Sequence, residues 1–546
     1  VTFEQAAGAG DSGVEQFPVD FPLEFGVDDA VLSFSGRCGF GRVYGSGTFD
    51  DPHGQEGALL AVRHGVYLVR ANAAPVLLRI PAQERITGPV RFVQTFEKVL
   101  MFRGGDADVL EWQPLPTFAE GYGDWVPIQQ TSSRESDDDN TFGDGTALIP
   151  RSSEAVAFNN RVFVVDGRDE IVVSDILDYT RYSRVRGRWQ VNAGTASRLT
   201  RLFPFNQTSL LAFKQNSVYL IGNVYGDLSE AYVDVLTQEY GCLAPRSVLQ
   251  VGKDVMFLSE AGYFAVSQAL DNKLQAGSEP LSAPIDELMS RINWNVADRA
   301  VAAYHENRVY LAVPLDESLR NNAVLVFNTL AQAWEGYWTA DYLGVQSFLR
   351  LQRGGKRRLF IVNEQPDDFD ALTGTLLLVD AGYEDILYGR SVPIACEFVS
   401  RGYAANTVNQ KDYLRLIVDQ ATWEPAFSVA AHADGVNEQR LLAGPVSRDR
   451  RKYLVHGRGL FDPAAQDAAH ESPWRQDYSI YLEADTGLFP GEGVDPSRLQ
   501  RVQYPYHINL RGAYMQARIQ NTTGRTQIHS ITVEARAGAR SSQERK

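Results

Sequence analysis

Hydrophobic positions along this chain come in short paired runs and not in long helical stripes. The pairs fall at residues 61–69, 99–102 with 109–112, 161–174, 210–221, 255–266, 308–313 with 323–328, and 358–362 with 375–379. Each is a run of β-branched or aromatic residues, a short turn containing Gly, Asn or Asp, and a second such run. That is the signature of an antiparallel hairpin. The unit recurs at roughly 40–60 residues, the spacing of propeller blades. Radial closure leaves only short, protected sheet edges, which gives a long all-β chain a physical reason to close. The pattern predicts an all-β chain whose residues 1–390 form a β-propeller of six or seven blades, closed by strands from both ends of that segment. A strand within 19–34 is expected to complete the closing blade. Stacked sandwiches share the same hairpin code and differ in closure.

Two segments break the pattern. Residues 131–147 form a polar, acidic loop without periodicity,. Residues 281–292 predict one short helix, with Ser282 as N-cap and Pro284 in the first turn. Ile285, Leu288, Met289 and Ile292 form an apolar stripe that must pack on the sheets, because so short a helix does not stand alone,. After about residue 390 the texture changes to alternating strands at 413–418, 426–430, 478–482, 514–519 and 528–534, with turns at Asp434-Gly435 and Thr523-Gly524. Residues 391–546 are therefore expected to form a separate antiparallel β-sandwich with a frayed end from 535.

Composition narrows the function. The chain has 546 residues, 44% hydrophobic and 22% charged, with a formal net charge of −16. Gripping nucleic acid through phosphates needs a basic face, and the overall balance argues against one. The three cysteines, Cys38, Cys242 and Cys396, are far apart in sequence, so neither a disulfide framework nor a structural zinc site is expected,. No run of 18 apolar residues predicts a membrane span. Residues 1–13 are small and polar and do not read as a signal peptide; no Met opens the chain, so residue 1 need not be the native start,.

The sequence marks out no catalytic constellation. HExxH, Walker A, GxSxG and a dinucleotide fingerprint are all missing, and Gly39 to Gly45 has the wrong glycine spacing for the last,. His305-Glu306 lacks a second His at helical spacing and reads as part of a surface strand. The acidic stretch Asp137 to Asp144 departs from the EF-hand order and reads as a solvated loop. Propeller glycosidases need paired carboxylates at a pocket, and nothing groups such a pair here. Ser174-Asp-Ile-Leu-Asp-Tyr179 approaches the sialidase repeat but lacks its Gly and Trp. No enzyme activity, cofactor or metal is expected.

Several phrases resemble a family. Phe158 to Gly167 followed by Ile171 to Tyr179, then Leu202 to Ile221, Tyr240 to Val248, Gly252 to Tyr263 and the helix start at Leu281 are similar to tail nozzle proteins of short-tailed bacteriophages, also called tail stabilisation or tail-hub proteins. The resemblance is clearest over 155–295 and weaker over 20–130. Further on it rests on Lys411 to Leu416 and the Asn521 to Gly524 turn. It implies a structural subunit of the virion tail, assembled in the host cytoplasm. A homohexameric ring would surround the DNA exit channel. It would touch tail adaptor or portal-proximal ring proteins on one side and tail fibres or spikes on the other. DNA would pass through the lumen without sequence-specific binding. Asp137, Asp138 and Asp139 are then candidate subunit-contact residues. The rival readings are a host-surface glycan-binding propeller and a propeller glycosidase.

Overall fold

The computed structural model describes residues 42–537 apart from 51–55, 71–72, 97, 106, 114–122, 129–145, 184–186, 196, 227, 269–273, 277–278, 354, 367–371, 380–383, 388–389, 405–408, 424–426, 436, 443–451, 456–479, 484–501 and 522–524. Residues 131–145 of the acidic loop, with Asp137, Asp138 and Asp139 and the whole calcium-like stretch through Asp144, and the 19–34 strand lie outside the described residues, whereas Thr146 and Ala147, placed in that loop from sequence, form a short strand. The chain divides into two compact units, Val1–Ala381 and Gly382–Lys546.

The described residues are nearly all β. In the first unit they form seven antiparallel sheets in chain order, each built mainly from consecutive strands. The first holds Gly45–Asp50, Glu56–Val62, Gly65–Arg70 and Ala73–Arg79. The second holds Arg91–Thr95, Lys98–Phe102, Leu110–Trp112 and Val126–Pro127. The third runs Ala155–Phe158, Arg161–Asp166, Glu170–Asp175 and Asp178–Ser183, with Thr146–Ala147 beyond the last of these. The fourth is Leu199–Pro204, Leu210–Lys214, Val218–Gly222 and Tyr232–Thr237. The fifth is Leu249–Val251, Asp254–Ser259, Gly262–Gln268 and Leu274–Ala276. The sixth is Val301–His305, Arg308–Val313, Ala323–Asn328 and Ala333–Thr339. The seventh has three strands, Val345–Arg353, Lys356–Pro366 and Leu372–Leu378.

The second and third strands of these sheets are the paired hydrophobic runs of the sequence. They are buried on both faces, so they read as continuous apolar stretches such as Val162 to Val165 and Leu210 to Phe213,. Their side chains join each sheet to its neighbour. Phe49 and Leu59 of the first sheet meet Val99 and Trp112 of the second; the Phe49 and Trp112 rings are T-shaped at 5.1 Å. Leu100 and Phe102 meet Val162 and Val164. Phe163 and Val173 meet Leu210 and Tyr219. Phe213 and Val218 meet Phe257 and Phe264, with Tyr240 stacked on Phe264 at 4.0 Å. Leu258 and Tyr263 meet Leu311 and Phe327. Asn321 Nδ2 donates to Val345 O at 2.8 Å, tying the sixth sheet to the seventh. Finally Leu349, Phe360 and Leu376 of the seventh sheet pack on Ala58, Leu60 and Val69 of the first.

The helix is shorter than the sequence suggested. A 3-10 turn, Ala283–Ile285, leads into one helical segment, Asp286–Ser290. Ser282 does stand at the N-cap position of the 3-10 turn, with Pro284 in its first turn, but its backbone is near-helical and its side chain makes no cap bond. Its hydroxyl instead accepts the Tyr263 N–H at 3.1 Å, so the fifth sheet takes the group a cap would have used. The apolar stripe does pack on the sheets. Leu281, Ile285 and Leu288 rest against the core that contains Met289 and Ile292. Ile292 leaves the helix to bridge Leu315.

In the second unit, one sheet runs in the order Cys396–Val399, Met515–Asn521, Phe427–Ala433, Asn437–Leu442. Another places Lys411–Trp423 between Val502–Gly512 and Arg525–Ala537. Their inward residues, including Tyr413, Leu416, Val418, Val429, Tyr506, Met515 and Ile519, form one core. The predicted Asp434-Gly435 turn is present, both residues having positive φ. Asp434 Oδ1 accepts the Ala513 N–H at 2.8 Å and the Tyr514 N–H at 3.1 Å, which fixes the facing loop. Lys411 is buried because Nζ donates to Asn409 O at 2.9 Å and Ala513 O at 2.8 Å. A small hairpin, Glu384–Leu387 with Arg390–Pro393, and a parallel pair, Lys452–Val455 with Ile480–Glu483, complete this unit among the described residues.

Candidate functional site

First strands of neighbouring sheets lie against one another, as Gly45–Asp50 does on Arg91–Thr95 and Ala155–Phe158 on Leu199–Pro204, and several carry charge at or near their starts. Arg91 opens the first strand of the second sheet. Glu154 stands just before that of the third, Ala155–Phe158. Arg201 lies within that of the fourth, at a bulge between Leu199 and Arg201. Arg246 sits in a 3-10 turn, Pro245–Ser247, ahead of that of the fifth. Proline at the start of this turn presets φ, and Ser247 Oγ braces it by donating to Ala244 O at 2.7 Å and accepting Leu258 N–H at 2.9 Å,.

These groups interact across sheets. Arg201 Nη1 donates to both Glu154 carboxylate oxygens, at 2.9 and 3.1 Å, with both side chains buried. Arg246 Nη1 donates to Gln346 O of the seventh sheet at 3.1 Å, and Nη2 reaches Arg299 O at 3.4 Å. Gln346 in turn bonds Val43 O, and Val43 N–H donates to Glu364. Ser46 and Ser347 hydroxyls meet at 2.7 Å. Burial, then the Arg201 charge, pushes the Arg91 guanidinium down to about 10. Burial likewise lowers Arg246. Glu364 is raised by burial, against the opposing pull of the Val43 N–H and of Arg42, Arg246 and Arg320. The Nε atoms of Arg91 and Arg201 are buried with no hydrogen-bond partner. The Cys242 thiol lies near Arg201 and Glu154; planar guanidinium forks of this kind are suited to paired oxygen acceptors.

A second buried charge sits between the third and fourth sheets. Lys214 Nζ donates to Asp169 Oδ1 at 2.7 Å, Asn192 O at 3.0 Å and Thr195 Oγ1 at 3.0 Å. These bonds are structural, since they satisfy all three ammonium protons. Cys242 is buried and its thiol is pushed up to about 12, chiefly by burial, which makes it unreactive at neutral pH,.

The other residues considered from sequence have structural roles. His305 ends its strand, with Nε2 3.8 Å from Glu306 Oε1. Ser174, in the sialidase-like phrase, accepts the Val162 N–H at 2.9 Å and donates to Asp175 O at 3.0 Å, locking one strand end to its neighbour. Among the described residues no group of three His, Cys, Asp or Glu side chains is placed to hold a metal ion. No described helix is long and apolar enough to cross a membrane. The arginine cluster was missed in the sequence because its members are spread over 91–246 in unlike contexts. The one available signal was an Arg or Glu at the start of successive first strands, and those strands were themselves unmarked.

No family model matches the chain, and no curated protein matches it. Among solved structures it is similar to the extracellular domain of a one-component system of B. thetaiotaomicron, with a TM-score of 0.39 and 9% identity over 74% of this chain. The alignment covers 52% of that structure, so this chain spans about half its length.

Proposed function

We propose that this chain is a structural subunit of a bacteriophage tail nozzle, with the first unit a closed seven-bladed propeller and the second a β-sandwich. Sequential packing of seven meander sheets, with the seventh on the first through Leu349, Phe360, Ala58 and Leu60, supports closure. The two sheets around Tyr413 and Met515 support the sandwich. The resemblance of residues 155–295 to tail nozzle proteins supports the assignment. It falls on the third to fifth sheets, where Asn159, Asn160 and Gly167 take the positive φ that tight hairpin turns require,.

The observation that carries the assembly role is the surface of the outermost strands. Tyr232–Thr237 is the edge of the fourth sheet, and Tyr232, Val233 and Val235 are exposed by 49, 38 and 46%. The outer strand of the sixth sheet exposes Tyr337 and Trp338. Long edges with apolar side chains are normally blunted in proteins that stay single. Here they suit coverage by another copy in a ring of six, whose contacts repeat head to tail around an axis. The acidic balance would keep the lumen from gripping DNA,. The test is Val233→Glu with Val235→Glu, read by sedimentation velocity. We expect the wild type to sediment as a ring and the variant as a folded monomer. A wild type that stays monomeric at every concentration, or a variant that assembles as the wild type does, overturns the proposal.

A further inference from the structure

The arginine cluster inverts the charge of its surroundings. The chain carries −16 overall, yet Arg91 and Arg201 share one carboxylate, Glu154, and Arg246 stands by Arg91, so positive charge exceeds negative here. The wider ring does not remove the excess. Asp298 and Glu364 lie near Arg246, but Arg299 lies there too, and Arg42 and Arg320 stand by Glu364. Uncompensated buried charge is strongly disfavoured, and proteins normally pair it. Arg201 spends only Nη1 on Glu154, and its Nε, like that of Arg91, points at no protein acceptor. Arg246 uses its own donors on backbone carbonyls, which carry no net charge to offset it. Arg91 and Arg246 remain partly exposed, so the cluster can be reached from solvent.

We propose that Arg91, Arg201 and Arg246 form a binding site for one small dianion bearing oxygen acceptors, a phosphate or a dicarboxylate. Guanidinium forks match the paired oxygens of either. Two negative charges would offset most of the positive excess that Glu154, Asp298 and Glu364 leave. The ligand would tie the first strands of the second and fourth sheets to the 3-10 turn ahead of the fifth.

The experiment measures thermal unfolding of the full chain in chloride, phosphate and malonate at matched ionic strength. Phosphate or malonate is expected to raise the midpoint by roughly 2 °C or more, saturably, by stabilising the folded state through binding. A larger shift with phosphate identifies a phosphate site, and a larger shift with malonate a dicarboxylate site. Arg91→Gln is expected to unfold in chloride at the wild-type temperature or above, because Arg91 Nε makes no bond to lose and one like charge is removed. It should lose the anion-dependent shift. Arg91→Lys keeps the charge without the fork and should show a reduced shift. Equilibrium dialysis of the wild type with labelled phosphate or malonate should give one bound anion per chain. The proposal fails if neither anion shifts the midpoint and neither binds in dialysis. It fails equally if Arg91→Gln retains the full shift.

Discussion

Removing the Asp169 carboxylate should be one of the most damaging single changes in the first unit. Lys214 is fully buried and Asp169 is 16% exposed, so this ion pair sits behind the surface between the third and fourth sheets. Asp169→Ala leaves the ammonium with Asn192 O and Thr195 Oγ1 as partners and no negative charge. Breaking a buried pair by deleting one partner costs about 3–5 kcal/mol. The two remaining acceptors and the slight exposure of Asp169 place this case near about 3 kcal/mol. Lys214→Met in the Asp169→Ala background removes the stranded charge. That double variant should recover stability to within about 1–2 kcal/mol of wild type, the residue being the unpaired Asn192 and Thr195 oxygens. The assay is urea unfolding followed by intrinsic fluorescence, because six of the eight tryptophans precede residue 382 and report mainly on the first unit. With a denaturant slope of about 3 kcal/mol/M, the single variant should shift the midpoint down by about 1 M. A loss below about 1 kcal/mol in the single variant, or a double variant less stable than the single, would refute the reasoning.

Other expectations follow from particular contacts. A Cβ on Gly241 would lie 2.2 Å from Lys214 O and 2.4 Å from Ser217 N, both backbone atoms, so Gly241→Ala should destabilise by about 3 kcal/mol or prevent folding, read as the urea midpoint,. The buried Cys242 thiol keeps its proton to about 12 when folded, against 9.0 ordinarily. A raised acid pKa means this contribution is complete below about pH 9 and is lost between about 9 and about 12, at up to about 1.4 kcal/mol per pH unit. Cys242→Ser should flatten the alkaline fall in stability over that window, and an unchanged slope would contradict the assignment. Replacing Asp137, Asp138 and Asp139 together by Ser should leave the monomer's unfolding within about 0.5 kcal/mol of wild type and weaken assembly in a salt-dependent way. Normal assembly at every salt concentration would remove the contact role.

The hydrophobic pattern revealed the middle of each sheet and hid its margins. Val162 to Val165 and Val309 to Val313 stand out because central strands are apolar on both faces. The outer strand Ala333–Thr339 carries no such run because nearly all of it faces solvent. The first strand of the first sheet, Gly45–Asp50, is hidden for a different reason. Gly45 and Gly47 have neighbours so near that an added Cβ would meet Val90 O at 2.3 Å and Phe92 Cβ at 2.9 Å. Close approach of the second sheet thus selects small residues there, and small residues erase the strand signal. The helix was visible through its stripe and its start, but the Ser282 hydroxyl serves Tyr263 instead of capping, a long-range contact that sequence spacing does not encode. The arginine cluster shares that property: Arg91, Glu154, Arg201 and Arg246 come from separate sheets and meet through tertiary packing.

The central claim, a subunit that works as part of a ring, is tested most directly by single-particle electron microscopy of the purified full chain over a range of concentrations. The account predicts closed rings of six copies around an open axial channel, with each first unit presenting its exposed outer strands to a neighbour. Separate single chains at all concentrations, with no ring and no axial channel, would contradict it.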